Sequence, residues 1–138
     1  MILAAGMGTR MGALTADTPK PLLPVCGRPI VDYVVDRLVG FGVERIVVNL
    51  HHRAERLRAH FAGRSDAEFV FSDESDEILG TGGGIARALD LLGPQPFFAV
   101  NGDVIWFDAG RSSLLDLSRR FDPEAMDGLL LLHPTVFA

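Results

Sequence analysis

A chain of 138 residues, 48% hydrophobic and 22% charged, holds enough apolar residues for one globular domain with a core, which excludes a disordered segment. A formal net charge of −5 argues against a general nucleic-acid binder, whose surface is normally basic. The single Cys26 excludes an internal disulfide and points to a reducing cytoplasm, and no apolar run approaches the roughly 20 residues that a bilayer requires. The first residues carry no basic leader and their apolar run breaks at Gly6, so they do not read as a secretory signal.

In chain order, Ile2 and Leu3 read as the end of a first strand that runs into Gly6, Gly8 and Gly12. Pro29 suits the first turn of a helix, in which Ile30, Val31, Val34, Val35 and Leu38 recur at helical spacing until Gly40 and Gly42. Arg45 to Leu50 is a continuous β-branched run, as a parallel strand covered on both faces requires. A second helix fits Ala54 to Ala62 and a third strand Glu68 to Ser72, followed by Asp73, Glu74, Asp76 and Glu77, which read as a solvated acidic loop. Gly82 to Gly84 lead into a helix with Ile85, Ala88, Leu89 and Leu92 inward, stopped by Gly93 and Pro94. Pro96 to Asn101 is a fourth strand. Ser113 and Asp116 resemble a capping arrangement for a helix with Leu114, Leu117 and Phe121 inward, and Leu129 to Leu132 is a fifth strand.

This alternation predicts an α/β fold with a doubly wound, mainly parallel sheet in strand order 3-2-1-4, spanning residues 1–138 as one domain. Ligands of such sheets bind beyond the strand C-termini where the order reverses. The loop after strand one and the Asn101-Gly102-Asp103 end of strand four would face each other there.

The loop is the part of the chain with most chemistry in it. Glycines let the backbone approach an anion, and successive free N–H groups form a concave site for it. Between Gly6 and Arg28 three cations stand against one acid, a surplus of +2 within an acidic chain, which fits a small anionic ligand. Arg10 and Lys20 supply donors for phosphate oxygens, and Pro19 and Pro21 stiffen the segment around Lys20. Gly6, Gly8 and Gly12 also fit a GxGxxxG dinucleotide pattern. Against that reading, Leu14 to Pro24 contains three prolines and cannot be the helix such a site needs, and the second strand carries Asn49 where an acid is expected.

The segments LAAGMGTRM, LT and PKPLLPV, together with VVNLHH, TGGGI and FFAVNGDVIW, resemble the sugar-1-phosphate nucleotidylyltransferases. The likeness is strongest to bacterial N-acetylmuramate-1-phosphate uridylyltransferases, with mannose-1-phosphate guanylyltransferases near, and matches about the N-terminal half of such proteins. It implies a Rossmann-like fold and transfer of a nucleotidyl group from UTP to N-acetylmuramate α-1-phosphate with release of pyrophosphate, in peptidoglycan recycling. It further implies that Arg10 contacts the leaving pyrophosphate, that Lys20 lies against the reacting phosphates and that Asp103 holds Mg²⁺. Leu3, Ala4, Ala5, Gly6, Gly8, Thr9, Thr81, Gly82 and Gly83 would then bind the nucleotide, with Asn101 a possible substrate contact. The alternatives are guanylyl transfer to mannose-1-phosphate and a non-catalytic nucleotide-binding module.

The bland readings cover the remaining residues. Cys26 and the four methionines read as packing residues, and Trp106 as a core or pocket-wall residue. His51 and His52 lack a metal-ligand spacing, and His60 and His133 stand alone, so no zinc site is expected.

Overall fold

The computed structural model of the protein describes residues 1–132. Two compact units divide it, one over Met1–Ile105 and one that begins at Trp106. In the first, six strands form: β1 (Ile2–Leu3), β2 (Pro24–Val25), β3 (Arg28–Pro29), β4 (Arg45–Leu50), β5 (Glu68–Asp73) and β6 (Val100–Asn101). Three helices accompany them, α1 (Ile30–Phe41), α2 (Ala54–Ala62) and α3 (Gly80–Leu92).

Four of the strands make a parallel sheet in the order β5-β4-β1-β6, which is the 3-2-1-4 order expected from the alternation of elements. Ile2 pairs with Val48 and Val100, and Leu3 with Asn49 and Asn101, so two residues of β1 align the ends of its neighbours. Side chains alternate across a strand. Phe61 of α2 stacks on Phe69 of β5 with ring centroids 4.7 Å apart, and Phe71 lies 6.3 Å from the same ring. On the other face, Val47 of β4 packs with Met1 and with Ala88 of α3, flanked by Leu3, Val70 and Ile85. The sheet is thus covered on both sides, and Ile46 to Leu50 are buried throughout.

Helix limits follow local chemistry. Gly42, at φ 104°, ends α1 in the left-handed conformation open to glycine, and Gly40 stays inside the helix. α3 begins at Gly80 rather than at the triple glycine, so Thr81, Gly82 and Gly83 lie within its first turn. Leu89, read as inward-facing, is half exposed.

Several expectations are corrected. The fourth strand shrinks to Val100–Asn101, because only those two residues meet the two-residue β1. A hairpin of β2 and β3 forms unforeseen, with Cys26 and Gly27 at its turn. Cys26 is exposed, with φ 50°, and is not a packing residue. Of the methionines only Met1 is buried.

The second unit holds α4 (Ser113–Arg120). Its cap is Ser112, whose hydroxyl accepts the Leu115 N–H at 3.3 Å, one residue before the expected cap, while Asp108 accepts the Ser113 N–H. Trp106 is half-buried and donates its indole N–H to Ser113 Oγ at 3.1 Å. Leu129–Leu132 form no strand. The run has a strand's apolar character but no pairing partner among the described residues, and Leu130, Leu131 and Leu132 are 79%, 60% and 80% exposed. His133 lies outside the described residues.

Candidate functional site

A cleft of about 610 Å³ opens at the C-terminal ends of β1, β4 and β6. Its floor and one wall are the segment Leu3 to Met11, its other walls Lys20 and Pro21, Asn49, Glu74, the start of α3 and the end of β6. Of the predicted residues, Leu3, Ala4, Ala5, Gly6, Gly8, Thr9, Arg10, Lys20, Thr81, Asn101 and Asp103 all line it. Gly82 and Gly83 do not, and lie just beyond the lining residues Gly80 and Thr81 in the first turn of α3.

The glycine loop folds into a tight 3-10 helix over Thr9–Thr15, entered through Gly8 at φ 64° and kinked at Gly12, whose φ of 55° and ψ of −127° leave helical space. A side chain at Gly8 would put its Cβ 2.9 Å from Thr15 Cγ2, so sterics and conformation both require glycine there. The Thr15 hydroxyl is shared between the carbonyls of Gly8 at 2.9 Å and Gly12 at 3.2 Å and closes the loop on itself.

The next segment is fastened to α2. Arg53 donates to Ala16 O and Asp17 Oδ1, both at 3.0 Å, Arg56 to Thr18 Oγ1 at 3.2 Å, and His52 Nε2 lies 3.2 Å from Thr15 O. Arg53 holds φ 53° to do so. Beyond this staple a short 3-10 turn, Lys20–Leu22, follows Pro19 and aims Lys20 into the cleft.

Lys20 Nζ forms an ion pair and hydrogen bond with Asp103 Oδ2. The two side chains are 33% and 31% exposed, so the pair bridges the glycine loop and the end of β6 at the edge of solvent. Gly102 places Asp103: its N–H donates to Leu3 O at 2.9 Å, and a Cβ there would come 3.1 Å from Ile2 Cγ2 and 3.2 Å from Leu3 O. The Asn-Gly-Asp sequence is therefore a close backbone approach as well as a turn. Arg10 is exposed on the same wall and makes no hydrogen bond or ion pair among the described residues.

Glu74 corrects the reading of the acidic stretch as a solvated loop. It is 1% exposed, and its carboxyl accepts the Asn49 side-chain amide at 2.8 Å, whose own oxygen accepts the Ala4 N–H at 2.7 Å. Neither polar side chain was a functional candidate from the sequence: Glu74 is one acid inside an acidic run, and Asn49, though within the VVNLHH segment, was assigned no role. The other acids are exposed. Asp73 closes β5, and hydrogen bonds from Ser75 and then Arg58 hold its carboxyl below the usual range. Arg87, bidentate at 2.6 and 2.8 Å, holds Asp76 down to about 2. Met7, Met11 and Ile78 add apolar surface to the cleft.

A family model described as the MobA-like NTP transferase domain matches residues 1–125. The chain belongs to that family. Among relatives, N-acetylmuramate alpha-1-phosphate uridylyltransferase of Caulobacter vibrioides is 44% identical over 139 residues, covering 98% of this chain and 57% of the relative. The enzyme of the same name from Neisseria meningitidis is 47% identical over 108 residues, covering 76% and 46%. The crystal structure of HddC from Yersinia pseudotuberculosis complexed with GMP-PN superposes with a TM-score of 0.65 at 33% identity, over 74% of this chain and 46% of that one. This MobA-like NTP transferase domain thus spans about half the length of the curated relatives it matches. The resemblance read from the glycine loop and the PKP segment is borne out at the level of the family. No helix among the described residues of the domain is long and apolar enough to cross a membrane.

Proposed function

We propose that this chain carries the nucleotide site of an enzyme that transfers a uridylyl group from UTP to N-acetylmuramate α-1-phosphate. The products are UDP-N-acetylmuramate and pyrophosphate, and the setting is cytoplasmic peptidoglycan recycling. One observation carries the reading: the glycine loop, Arg10, Lys20 and Asp103 converge on one cleft at the point where the strand order reverses. Similarity to the two uridylyltransferases supports uridine as the base and N-acetylmuramate as the sugar.

A phosphate monoester has a second pKa of about 6, so the attacking sugar phosphate is already largely dianionic at neutral pH and needs no general base. What the reaction needs is in-line alignment and relief of charge repulsion where two phosphate groups meet. The backbone N–H groups of Ala5 to Thr9 cradle the triphosphate. Lys20, presented by the Pro19 and Pro21 segment, turns from Asp103 to the reacting phosphates. Arg10, free of intramolecular partners among the described residues, receives the leaving pyrophosphate. Leu3 to Ala5 and Thr81 at the start of α3 border the nucleoside end. Asn101, exposed at the end of β6, borders the sugar-phosphate side.

The donor set fits a magnesium ion. Asp103 offers one accessible carboxylate at the cleft wall, and Mg²⁺ is commonly held by one or two carboxylates with phosphate oxygens and water completing its shell. Among the described residues no group of three or more His, Cys, Asp or Glu makes a ready cage, so the substrate itself would provide ligands. When bound, the ion supplies charge neutralisation at the phosphates. Asp103 would hold it.

The test is pyrophosphate release with Mg²⁺ across UTP, GTP, CTP, TTP and ATP against N-acetylmuramate-, N-acetylglucosamine-, glucose- and mannose-1-phosphate. Activity with UTP and N-acetylmuramate-1-phosphate is expected. Preference for GTP would favour the guanylyl reading, to which the GMP-PN complex of HddC lends support. Nucleotide binding without release from any pair would leave a binding module.

A further inference from the structure

Beyond the cleft's charged residues, the molecule contains a buried polar chain that links its two nucleotide-facing walls. It starts at the Ala4 N–H, which donates to Asn49 Oδ1 at 2.7 Å, and continues from Asn49 Nδ2 to Glu74 Oε1 at 2.8 Å. Asn49 is 3% and Glu74 1% exposed. Glu74 is anchored by its backbone as well: its N–H donates to Leu50 O at 2.8 Å, and its carbonyl lies 2.6 Å from His51 Nδ1. The far end of the chain rests on α3. A Cβ on Gly84 would sit 2.6 Å from Glu74 Oε1 and 2.8 Å from Asn49 Nδ2, so only glycine allows the helix to close on the pair.

Burying a carboxyl and an amide is costly unless each meets a partner. Here the partners come from the residue after β1, from β4 and from the residue after β5, and α3 closes over them at Gly84 by packing. The arrangement also separates charge within the cleft. Cations Arg10 and Lys20 lie on the glycine-loop side, whereas the Glu74 carboxyl lies against Gly84 of α3 and lines the cleft beside Gly80 and Thr81, opposing an anion at that helix end. That end suits a neutral heterocycle.

We propose that Asn49 and Glu74 are a positioning pair for the base: they fix the Ala4 backbone and the start of α3 as one wall, and direct the nucleotide base-first toward α3. This rests on the nucleotide-binding reading above. Neither side chain touches the reacting phosphates in this proposal, so the pair governs nucleoside recognition and leaves the phosphate cradle intact.

The substitution Asn49→Asp keeps the acceptor for Ala4 N–H but sets oxygen against Glu74. Adding Glu74→Gln restores a donor between them with its direction reversed. Affinities for UTP and for inorganic tripolyphosphate, each with Mg²⁺, are measured by calorimetry on the full 138-residue chain. Asn49→Asp is expected to weaken UTP about tenfold, in line with one broken buried hydrogen bond, and tripolyphosphate less than threefold. The double variant is expected to recover UTP affinity to within about threefold of the unsubstituted chain. Gly84→Ala, which pushes on the pair from the other side, is expected to show the same selective loss, and it stands as the test if Asn49→Asp does not fold.

Parallel loss of UTP and tripolyphosphate in the folded variants overturns the pair's assignment to the base, as does a double variant without recovery. Absence of nucleotide binding by the unsubstituted chain overturns instead the reading on which the proposal rests.

Discussion

Lys20 and Arg10 enter the same cleft in different states, one paired and one free, and substitutions should separate them. Lys20→Ala removes an ion pair whose partners are each about one-third exposed, so stability is expected to change by no more than about 1 kcal/mol in a denaturant titration. Turnover in pyrophosphate release is expected to fall roughly 10²- to 10³-fold, the scale of losing one donor to developing charge. Equal turnover in a folded Lys20→Ala variant would remove Lys20 from the mechanism. Arg10→Ala, with no intramolecular partner to lose among the described residues, should leave the thermal midpoint within a degree or two and still cost turnover on the order of 10²-fold. Gly8→Ala acts on geometry. A left-handed φ costs a residue with Cβ about 1–2 kcal/mol, and the clash with Thr15 adds to it. Nucleotide affinity and stability should drop together in that variant, as read by calorimetry and urea unfolding. The charged residues of the cleft were legible because they sit in a long pattern of glycines and prolines. Glu74 was not, because nothing in a run of Asp73, Glu74, Asp76 and Glu77 distinguishes the one acid that turns inward after β5.

At the scale of elements, β1 is only two residues long, as is β6, yet it lies inside the main sheet with β4 on one side and β6 on the other. The Met1 ammonium that precedes it donates to Phe98 O at 2.5 Å, and burial pushes its pKa down from 8.0 to about 6. The folded group thus binds a proton less readily than the unfolded one. Stability of the 138-residue chain is expected to be lowest below pH 6, to rise between pH 6 and 8 and then to level off, with at most about 3 kcal/mol at stake. Urea midpoints of the 138-residue chain should follow that rise, and an added N-terminal extension that removes the free ammonium should abolish this part of it. Packing of α2 should weigh more: Phe61, 1% exposed between two phenylalanines of β5, is expected to cost about 3–5 kcal/mol when replaced by alanine. The buried strands and the amphipathic helices were legible from period alone, since β4 runs Ile46-Val47-Val48 and α1 repeats valine and leucine along one side. The β2–β3 hairpin was not, because two two-residue strands, each containing a proline, have no period to read.

For the molecule as a whole, the strand order followed from chain alternation and crossover handedness, which is why the place of the cleft could be stated before its walls were known. Leu129–Leu132 marks where that logic stops: four leucines match a buried strand, but burial depends on what pairs with them. Exposed at 36–80%, they make an apolar patch, and sedimentation velocity of the 138-residue chain should show association that grows with concentration and weakens in Leu130→Lys/Leu132→Lys. The bond between Lys20 and Asp103 has a consequence of another kind. While the two hold each other, each cancels the charge the other would show to an arriving molecule, so on the proposed reading Arg10 and the glycine loop alone draw a bare nucleotide, and Asp103 has little pull for a bare cation. A nucleotide carrying its cation can take both ends at once, exchanging one ion pair for two. The empty site would then favour the metal–nucleotide complex over either component alone.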